Sequence, residues 1–402
     1  MKNAKPPAVI DAAKLVAERE HHPGPSRDAR SFSAPRLPES FQTVVDPTKH
    51  PLQPYRDLPK PTGGPPFRLQ LAGILSAAAI QRIEQKGRMV FHSVGDTGGV
   101  NTPTYIEQVA SYMESDFGNA DPSLRPSFYY HLGDVVYYDG EAPNYYPEFY
   151  EPYNTYPAPI FAIPGNHDGD INPQLGGTSL EAFVRNFCAV RPAHSPDAGD
   201  SRRDTMTQPN VHWTLETPLA TIIGLYSNCP EGGEIRAPQI HWLIEELKAA
   251  PKRKALILTV HHPLYSAYGA HPGSQHLQGV LDQACAEAGR VPHLVLSGHV
   301  HNYQRFTGTI GGRPVPCLIA GAGGYNARLH VLANIFHTAK LPLRMKGSGG
   351  VLESFCDSQH GYLRITVTAQ QIQCDYIAVP NPGGSARRPR LIKPFDTVRV
   401  RV

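Results

Sequence analysis

The sequence of 402 residues predicts an α/β fold, and three observations support this prediction. Apolar residues make up 40% of the chain and charged residues 18%, a composition typical of globular proteins. Short apolar runs alternate with stretches in which apolar residues recur every three or four positions. Polar residues capable of chemistry directly follow several of these runs, as expected where functional loops extend from the ends of strands.

The chain is predicted to divide into a proline-rich N-terminal arm, residues 1–66, and one domain, residues 67–402. The arm contains thirteen of the forty prolines and shows little apolar periodicity. PLQP at 51–54 has a polyproline spacing that could bind a partner, but we expect the segment to be an arm packed over the domain.

Six apolar runs in the domain are predicted to be buried strands because they are short and bounded by turn residues. In chain order they are RMVFHSV (88–94), PSFYYHL (126–132), PIFAIP (159–164), ATIIGLYS (220–227), KALILTV (254–260) and PHLVLSG (292–298). Helical periodicity appears in PTYIEQVASYMES (103–115) and APQIHWLIEELKAA (237–250). The alternating stretch 360–379 predicts a hairpin that turns at Ala369-Gln370. Segment 169–210, rich in Gly, Pro, Asp and Arg, is predicted to be an insertion over a site.

Composition also limits the class of protein. A net charge of +3 does not indicate a nucleic-acid scaffold, and the absence of a run of ~18 apolar residues argues against a membrane span. The six cysteines form no close pairs, which is typical of free thiols in a reducing compartment. The first residues lack the features of a secretory signal, so a cytoplasmic location is expected.

Potential metal ligands follow five of the predicted strands. They are Asp96, Asp134, the Asn166-His167-Asp168 run, His261 with His262, and His299 with His301. Any one of these has an ordinary explanation as a turn residue or a surface histidine, but five together indicate a shared site. Carboxylate, amide and imidazole ligands suit Mn, Fe or Zn. They outnumber the ligands of one tetrahedral ion, so two ions ~3.5–4 Å apart with a bridging carboxylate would use them best.

The motifs GDTG, GDVVY, GNHD, VHHP and GHVHNYQR, in this order, resemble the five motif blocks of the calcineurin-like metallophosphoesterases. Within that superfamily the chain looks most like the purple acid phosphatases, over about residues 88–380. The resemblance implies a two-sheet β-sandwich flanked by α-helices, with two metal ions at the strand ends.

The resemblance also implies a role for each ligand. Asp96 and His301 would bind the first ion, and Asp134 would bridge the two. Asn166, His261 and His299 would bind the second ion, which would be Fe, Zn or Mn.

Position 98 distinguishes two groups within the superfamily. Many members have a histidine ligand there, whereas this chain has Gly98. The purple acid phosphatases share that gap and supply a tyrosine three residues after the bridging aspartate, which corresponds to Tyr137 here. Its phenolate would favour Fe(III) at the first ion. Tyr138 is also present, but a shift of one residue usually points a side chain elsewhere.

Catalytic roles follow from the same resemblance. A metal-bound hydroxide would attack phosphorus in line, because the ions lower the pKa of the bound water to about 7. His167 would stabilise the transferring phosphoryl group and protonate the leaving oxygen, and Asp168 would orient that imidazole. His271 would face the substrate, although His276 in the same loop is an alternative.

The leading hypothesis is a binuclear metallophosphoesterase similar to the purple acid phosphatases. Its substrates would be small-molecule phosphate monoesters, and diesters are a second substrate class to test. One alternative is a phosphodiesterase for nucleotides or lipid headgroups that uses Mn or Zn, with Tyr137 not a ligand. A third hypothesis is a binding protein that has kept the fold without turnover, but such proteins usually lose ligands that this chain retains. The sequence does not define the substrate or the oligomeric state.

Overall fold

The computed structural model describes residues 54–172, 176–345, 349–382 and 392–402. Most of the predicted arm therefore lies outside the described residues. Its last part, residues 54–66, has no regular secondary structure and is tied to the domain by several contacts. The Arg56 guanidinium pairs with the Asp170 carboxylate at 2.8 Å. The Gly63 amide donates to the Pro209 carbonyl at 2.8 Å, and Trp242 Nε1 donates to the Pro66 carbonyl at 2.7 Å.

The described residues contain fifteen strands and seven α-helices. The strands are β1 (Arg68–Gln70), β2 (Arg88–Val94), β3 (Tyr129–His131), β4 (Ile160–Ala162), β5 (Trp213–Glu216), β6 (Ala220–Leu225), β7 (Ala255–Val260), β8 (Leu294–Ser297), β9 (Tyr303–Ile310), β10 (Arg313–Ala320), β11 (Leu343–Arg344), β12 (Val351–Cys356), β13 (Gly361–Thr368), β14 (Gln371–Ala378) and β15 (Asp396–Arg401). The helices are α1 (Ala77–Lys86), α2 (Thr104–Ser115), α3 (Asn166–Gly169), α4 (Glu181–Phe187), α5 (Ala237–Ala249), α6 (Gln275–Ala288) and α7 (Asn334–Thr338).

The strands form two mixed sheets that pack as a sandwich. The order in the nine-stranded sheet is β1-β5-β6-β7-β8-β10-β9-β12-β11, and in the six-stranded sheet it is β15-β14-β13-β2-β3-β4. Buried residues of both sheets share one apolar cluster, to which Phe91 and Ile365 contribute from one sheet and Ile257 and Leu296 from the other. The fold is therefore the two-sheet sandwich flanked by helices that the family resemblance implied, in the α/β class.

Helices cover the outer face of each sheet. Apolar residues of α5 and α6, such as Leu243 and Leu281, pack on the nine-stranded sheet. The other sheet is covered by α2 and by the tyrosine-rich segment 145–156, whose tyrosines 145, 146, 150, 153 and 156 are buried. These tyrosines serve packing because they are almost wholly removed from solvent.

The six predicted strands, the two predicted helices and the hairpin are all present. The hairpin pairs β13 with β14 and turns at Ala369-Gln370, as predicted. Strands β3 and β4 are shorter than the apolar runs that predict them, at three residues each. In both runs the residues beyond the strand lead into the loops that carry Asp134 and Asn166.

The predicted insertion, 169–210, contains α4 and packs against the tyrosine-rich segment. Tyr150 donates to Asn186 Oδ1 at 2.8 Å, and the Arg203 guanidinium donates to the carbonyls of Tyr153 and Ala158. Arg203 is thus a structural residue that satisfies buried carbonyl groups. In the part of the chain that the structure describes, no helix is long and apolar enough to cross a membrane.

Candidate metal centre

The ends of parallel strands bring the sequence-predicted ligands to one end of the sandwich. In the six-stranded sheet, β2, β3 and β4 are parallel neighbours, and Asp96, Asp134 and Asn166 follow them. In the nine-stranded sheet, β7 and β8 are parallel neighbours, and they are followed by His261 and His299. All five side chains are buried. Each sheet thus supplies part of one cluster.

Three of these residues have a backbone conformation that is uncommon for non-glycine residues. The φ angles are +57° at Asp96, +53° at Asp134 and +67° at His299. The left-handed region costs free energy for residues with a Cβ and is tolerated where the surrounding structure enforces it. The turns after β2, β3 and β8 are therefore held in shapes that direct these side chains inward.

One half of the cluster is built around Asn166 and Asp134. His261 Nε2 lies 3.1 Å from Asn166 Oδ1 and 3.2 Å from Asp134 Oδ2. His299 Nδ1 lies 3.0 Å from the same Asn166 oxygen. Two imidazole nitrogens, an amide oxygen and a carboxylate oxygen thus converge.

Each of the two imidazoles has an inner nitrogen that faces Asn166 and an outer nitrogen that faces away from it. The hydrogen bond of the outer nitrogen determines whether the inner nitrogen carries a lone pair. His261 Nδ1 donates to the Leu132 carbonyl at 2.8 Å, and His299 Nε2 lies 3.3 Å from both oxygens of Glu231. A carbonyl or a carboxylate can only accept a hydrogen bond, so each outer nitrogen carries a proton, and in a neutral ring the inner nitrogen then has the lone pair. The inner nitrogens then present lone pairs toward Asn166 and Asp134, an arrangement that a cation stabilises.

The other half of the cluster contains buried polar atoms without a partner. Asp96 Oδ1, the Tyr137 hydroxyl and His301 Nδ1 have no hydrogen-bond partner among the described residues. His301 Nε2 lies 3.5 Å from Asp96 Oδ1, beyond good hydrogen-bonding distance. Buried polar groups are nearly always satisfied, so Asp96 Oδ1 and the Tyr137 hydroxyl call for a partner, and a metal ion held between Asp96, Tyr137 and His301 would supply one. The residues present therefore fit the two ions that the family resemblance implies.

Gly98 makes room for Tyr137. A Cβ at position 98 would lie 2.5 Å from Tyr137 Cδ2 and 2.8 Å from Cε2, and the φ of Gly98 is +50°. The close contact excludes a histidine at position 98 with Tyr137 in its present place, and the positive φ further disfavours any side chain there. The glycine and the tyrosine are therefore structurally linked.

Burial and neighbouring charges shift the pKa values of two carboxylates and two histidines in the cluster. Burial and the neighbouring Asp134 charge raise the pKa of Asp96 well above its usual range. Burial also acts to raise the pKa of Asp134, but the imidazoles of His261 and His167 outweigh it and hold that pKa well below its usual range. Burial lowers the pKa of His261, yet the Asp134 charge is stronger and raises it to about 9. Burial lowers the pKa of His299 to about 4.

His167 and Asp168 lie beside the cluster, but the contact expected between them is not the one observed. His167 Nδ1 donates to the Tyr138 carbonyl at 2.8 Å, so this carbonyl orients the imidazole. The Asp168 carboxylate instead accepts from the amides of Gly165 (2.8 Å) and Val135 (3.0 Å). The expectation that Asp168 orients His167 is thus wrong: the carboxylate joins the loops after β3 and β4, because their buried amides need an acceptor.

His271 lies at the edge of the cluster, with its ring 4.6 Å from that of His299. His276 instead accepts from the Ile235 amide at 3.3 Å, which gives it a structural contact. His92 and His131 are buried among structural partners. His262 Nδ1 contacts Ser227 Oγ at 2.8 Å, while its Nε2 is buried without a partner among the described residues.

Sequence reasoning missed two residues next to the ligands. Glu231 contacts both His271 and His299. The ring of His330 stacks on that of His301 at 4.2 Å, and its Nδ1 accepts from the His301 amide. Neither lies in a motif at a strand end; Glu231 belongs to the turn sequence NCPEGGE and His330 to a loop after GAGGY.

Comparisons with known proteins show the family of this chain. The family model of the calcineurin-like phosphoesterases matches residues 89–303, more than half of the chain. The chain therefore belongs to the calcineurin-like phosphoesterase family, and the resemblance inferred from its motifs is confirmed.

Individual relatives include both phosphatases and a phosphodiesterase. Purple acid phosphatase 21 of Arabidopsis thaliana is 24% identical over 52% of this chain and 43% of its own length. The 3′,5′-cyclic adenosine monophosphate phosphodiesterase CpdA of Escherichia coli is 28% identical over 39% of this chain and 48% of its own. The chain thus spans less than half the length of these curated relatives.

A solved structure shares the fold. The purple acid phosphatase PPD1 from yellow lupin (Lupinus luteus) seeds aligns with a TM-score of 0.54 and 15% identity, over 78% of this chain and 53% of its own. At this identity the likeness supports the fold, while the site rests on the residues described above.

Proposed function

We propose that this protein is a binuclear metal-dependent phosphoester hydrolase similar to the purple acid phosphatases. Two observations on possible ligand atoms carry the proposal. Buried polar atoms of Asp96, Tyr137 and His301 have no hydrogen-bond partner among the described residues. Beside them, ligand atoms of Asn166, His261 and His299 converge. The relatives named purple acid phosphatase support it.

Each half of the cluster would hold one ion. Asp96, Tyr137 and His301 would hold Fe(III), because a phenolate is a hard anionic donor. Asn166, His261 and His299 would hold Fe, Zn or Mn, and Asp134 would bridge the two ions. When bound, the ions would lower the pKa of a water molecule and neutralise phosphoryl oxygens.

The remaining residues position the substrate and move protons. The Tyr138 carbonyl holds His167 Nδ1, which leaves Nε2 as the nitrogen available to transfer a proton to the leaving oxygen. The ring of His167 lies 4.6 Å from that of Tyr137, so proton transfer would take place beside the first ion. His271, at the edge of the cluster, would contact the substrate, which we propose to be a small phosphate ester.

Two substitutions test the site. Asp134→Asn and His299→Ala each remove a donor, so we expect kcat/KM for p-nitrophenyl phosphate to fall by roughly 10³-fold or more with the circular dichroism unchanged. His241→Ala, at an exposed position of α5, is the matched control and should retain activity. Full activity in either site variant would contradict the assignment.

A second candidate is a phosphodiesterase that uses Mn or Zn, with Tyr137 not a ligand. It is favoured by the similarity to the cyclic nucleotide phosphodiesterase of Escherichia coli. The two candidates differ in substrate and in metal. Turnover of adenosine 3′,5′-cyclic monophosphate much faster than that of p-nitrophenyl phosphate, by a colourless protein that contains no iron, would favour the phosphodiesterase.

A further inference from the structure

Glu231 lies between a proposed metal ligand and a proposed substrate-facing histidine. Its carboxylate oxygens are 3.3 Å from His299 Nε2 and 3.2 Å from His271 Nδ1. The three residues come from three different loops, following β6, β7 and β8. A single carboxylate of the loop after β6 thus contacts both histidines.

The contact with His299 has a chemical consequence. Because the carboxylate accepts the proton of Nε2, the Nδ1 atom keeps its lone pair and lies 3.0 Å from Asn166 Oδ1. Histidines that bind metals commonly donate their second N–H to a carboxylate, which fixes the tautomer and the ring orientation and raises the basicity of the ligand nitrogen.

The turn that carries Glu231 is held in place by its own hydrogen bonds. The Gly233 amide donates to the Pro230 carbonyl at 2.8 Å, and the Glu234 amide donates to the Ser227 carbonyl at 2.7 Å. Ser227 Oγ also lies 2.8 Å from His262 Nδ1, which ties the turn to the residue beside His261. Glu231 is therefore presented to His299 by an ordered backbone.

Glu231 is partly exposed, so its removal is expected to change the site without destabilising the fold. Its side chain is 41% exposed, whereas that of His299 is 6% exposed. A carboxylate that remains in contact with water contributes little to the stability of a protein. Its removal should therefore leave the fold intact.

We propose that Glu231 is a positioning residue that holds the His299 imidazole in the tautomer and orientation required by the second metal ion, and holds His271 beside it. This inference rests on the proposed function, since it assigns His299 to a metal ion. It adds a contact made by the turn after β6, which contributes no residue to the ligand set.

The experiment is a titration of the chelator-treated full-length protein with Zn²⁺ in competition with a chromophoric chelator. In Glu231→Ala we expect one of two Zn²⁺ equivalents to bind 10–100-fold more weakly, with the other unchanged. Glu231→Gln keeps an oxygen that can accept the hydrogen bond, so its loss should be smaller. Glu234→Ala is the matched control, because that carboxylate pairs with Arg236 in the same turn.

Two results would overturn the proposal. One is equal Zn²⁺ affinity in Glu231→Ala and Glu234→Ala. The other is loss of a third, weaker Zn²⁺ equivalent while two remain tight, since Glu231 would then be a ligand itself. His261→Ala separates this failure from that of the proposed function: if it also binds two ions like the wild type, the metal centre itself is wrong.

Discussion

The ring of Tyr137 packs so closely on the backbone of Gly98 that a Cβ at that position would lie 2.5 Å from Tyr137 Cδ2. Many superfamily members have a histidine at position 98, and in this chain the ring of Tyr137, the ligand proposed in its place, packs against the backbone there. The Tyr137 hydroxyl is buried without a partner among the described residues. Burial and the Asp134 charge also raise its pKa. Such a phenol ionises only where a cation offsets that effect.

Gly98→Ala tests this link. The added methyl group must displace the ring of Tyr137, and φ is +50° there, so we expect the unfolding free energy to fall by about 1–3 kcal/mol. We also expect less iron per chain, measured by elemental analysis. Gly118→Ala is the control, since a Cβ there meets nothing within 4 Å. Wild-type iron content in Gly98→Ala would show that the position of Tyr137 does not matter.

At this scale the sequence predicted the residues that belong to strand-end motifs, and the structure brings them together. It could not predict Glu231, because a glutamate in a turn with two glycines has the composition of any exposed turn. It also assigned the wrong partner to Asp168, since the choice between an imidazole and backbone amides depends on how two loops approach each other.

At the scale of elements, a buried polar cluster joins β13 to the end of α2. Asp116 accepts from Arg364 at 2.8 Å and from Tyr362 at 3.2 Å, and His92 Nε2 lies 2.9 Å away. Burial acts to raise the pKa of Asp116, but the hydrogen bond from His92 and the charge of Arg364 outweigh it and lower that pKa. The ionised carboxylate therefore stabilises the folded protein.

Asp116→Asn should remove a pH-dependent part of this stability. A depressed pKa contributes stability that is present above the unfolded value, about 4, and is lost as the pH falls through the folded value. The wild type should thus be more stable than Asp116→Asn at pH 7, and the difference should narrow below pH 4. Urea unfolding between pH 7 and pH 3 measures it. A constant difference over this range would contradict the role of Asp116.

The elements that the sequence revealed are those with uninterrupted apolar runs or clear helical spacing. Seven strands of the described residues were not predicted: β1, β5, β9, β10, β11, β12 and β15. Strand β10 begins RPVP, and two prolines weaken any strand pattern. Strand β15, DTVRVR, is an edge strand with mostly exposed or half-buried residues, so it lacks the apolar run on which the prediction depends.

At the scale of the whole molecule, the site depends on the packing of two sheets. Asp134 and Asn166 follow strands of one sheet, and His261 and His299 follow strands of the other. Trp213 of β5 connects them: its Nε1 donates to the Ala162 carbonyl of β4 at 3.1 Å. The alternation of strands and helices indicated only the α/β class, because the partition into sheets depends on long-range pairing; the two-sheet prediction came from the family resemblance.

Trp213→Ala tests this packing. The side chain is fully buried and stacks on Tyr130, so its removal should lower the unfolding free energy by about 3–5 kcal/mol in denaturant titrations. Trp213→Phe retains most of the buried surface and should lose less. A change below about 1 kcal/mol in Trp213→Ala would mean that the two sheets do not rely on this contact.

The central claim is that Asp96, Tyr137 and His301 hold iron beside a second metal ion. Metal analysis combined with a visible absorption spectrum tests it most directly, because a tyrosinate bound to Fe(III) absorbs visible light through charge transfer. We predict a coloured protein with two metal ions per chain, and loss of the band in Tyr137→Phe but not in the control Tyr138→Phe. A colourless wild type without iron, or a band that survives Tyr137→Phe, would contradict it.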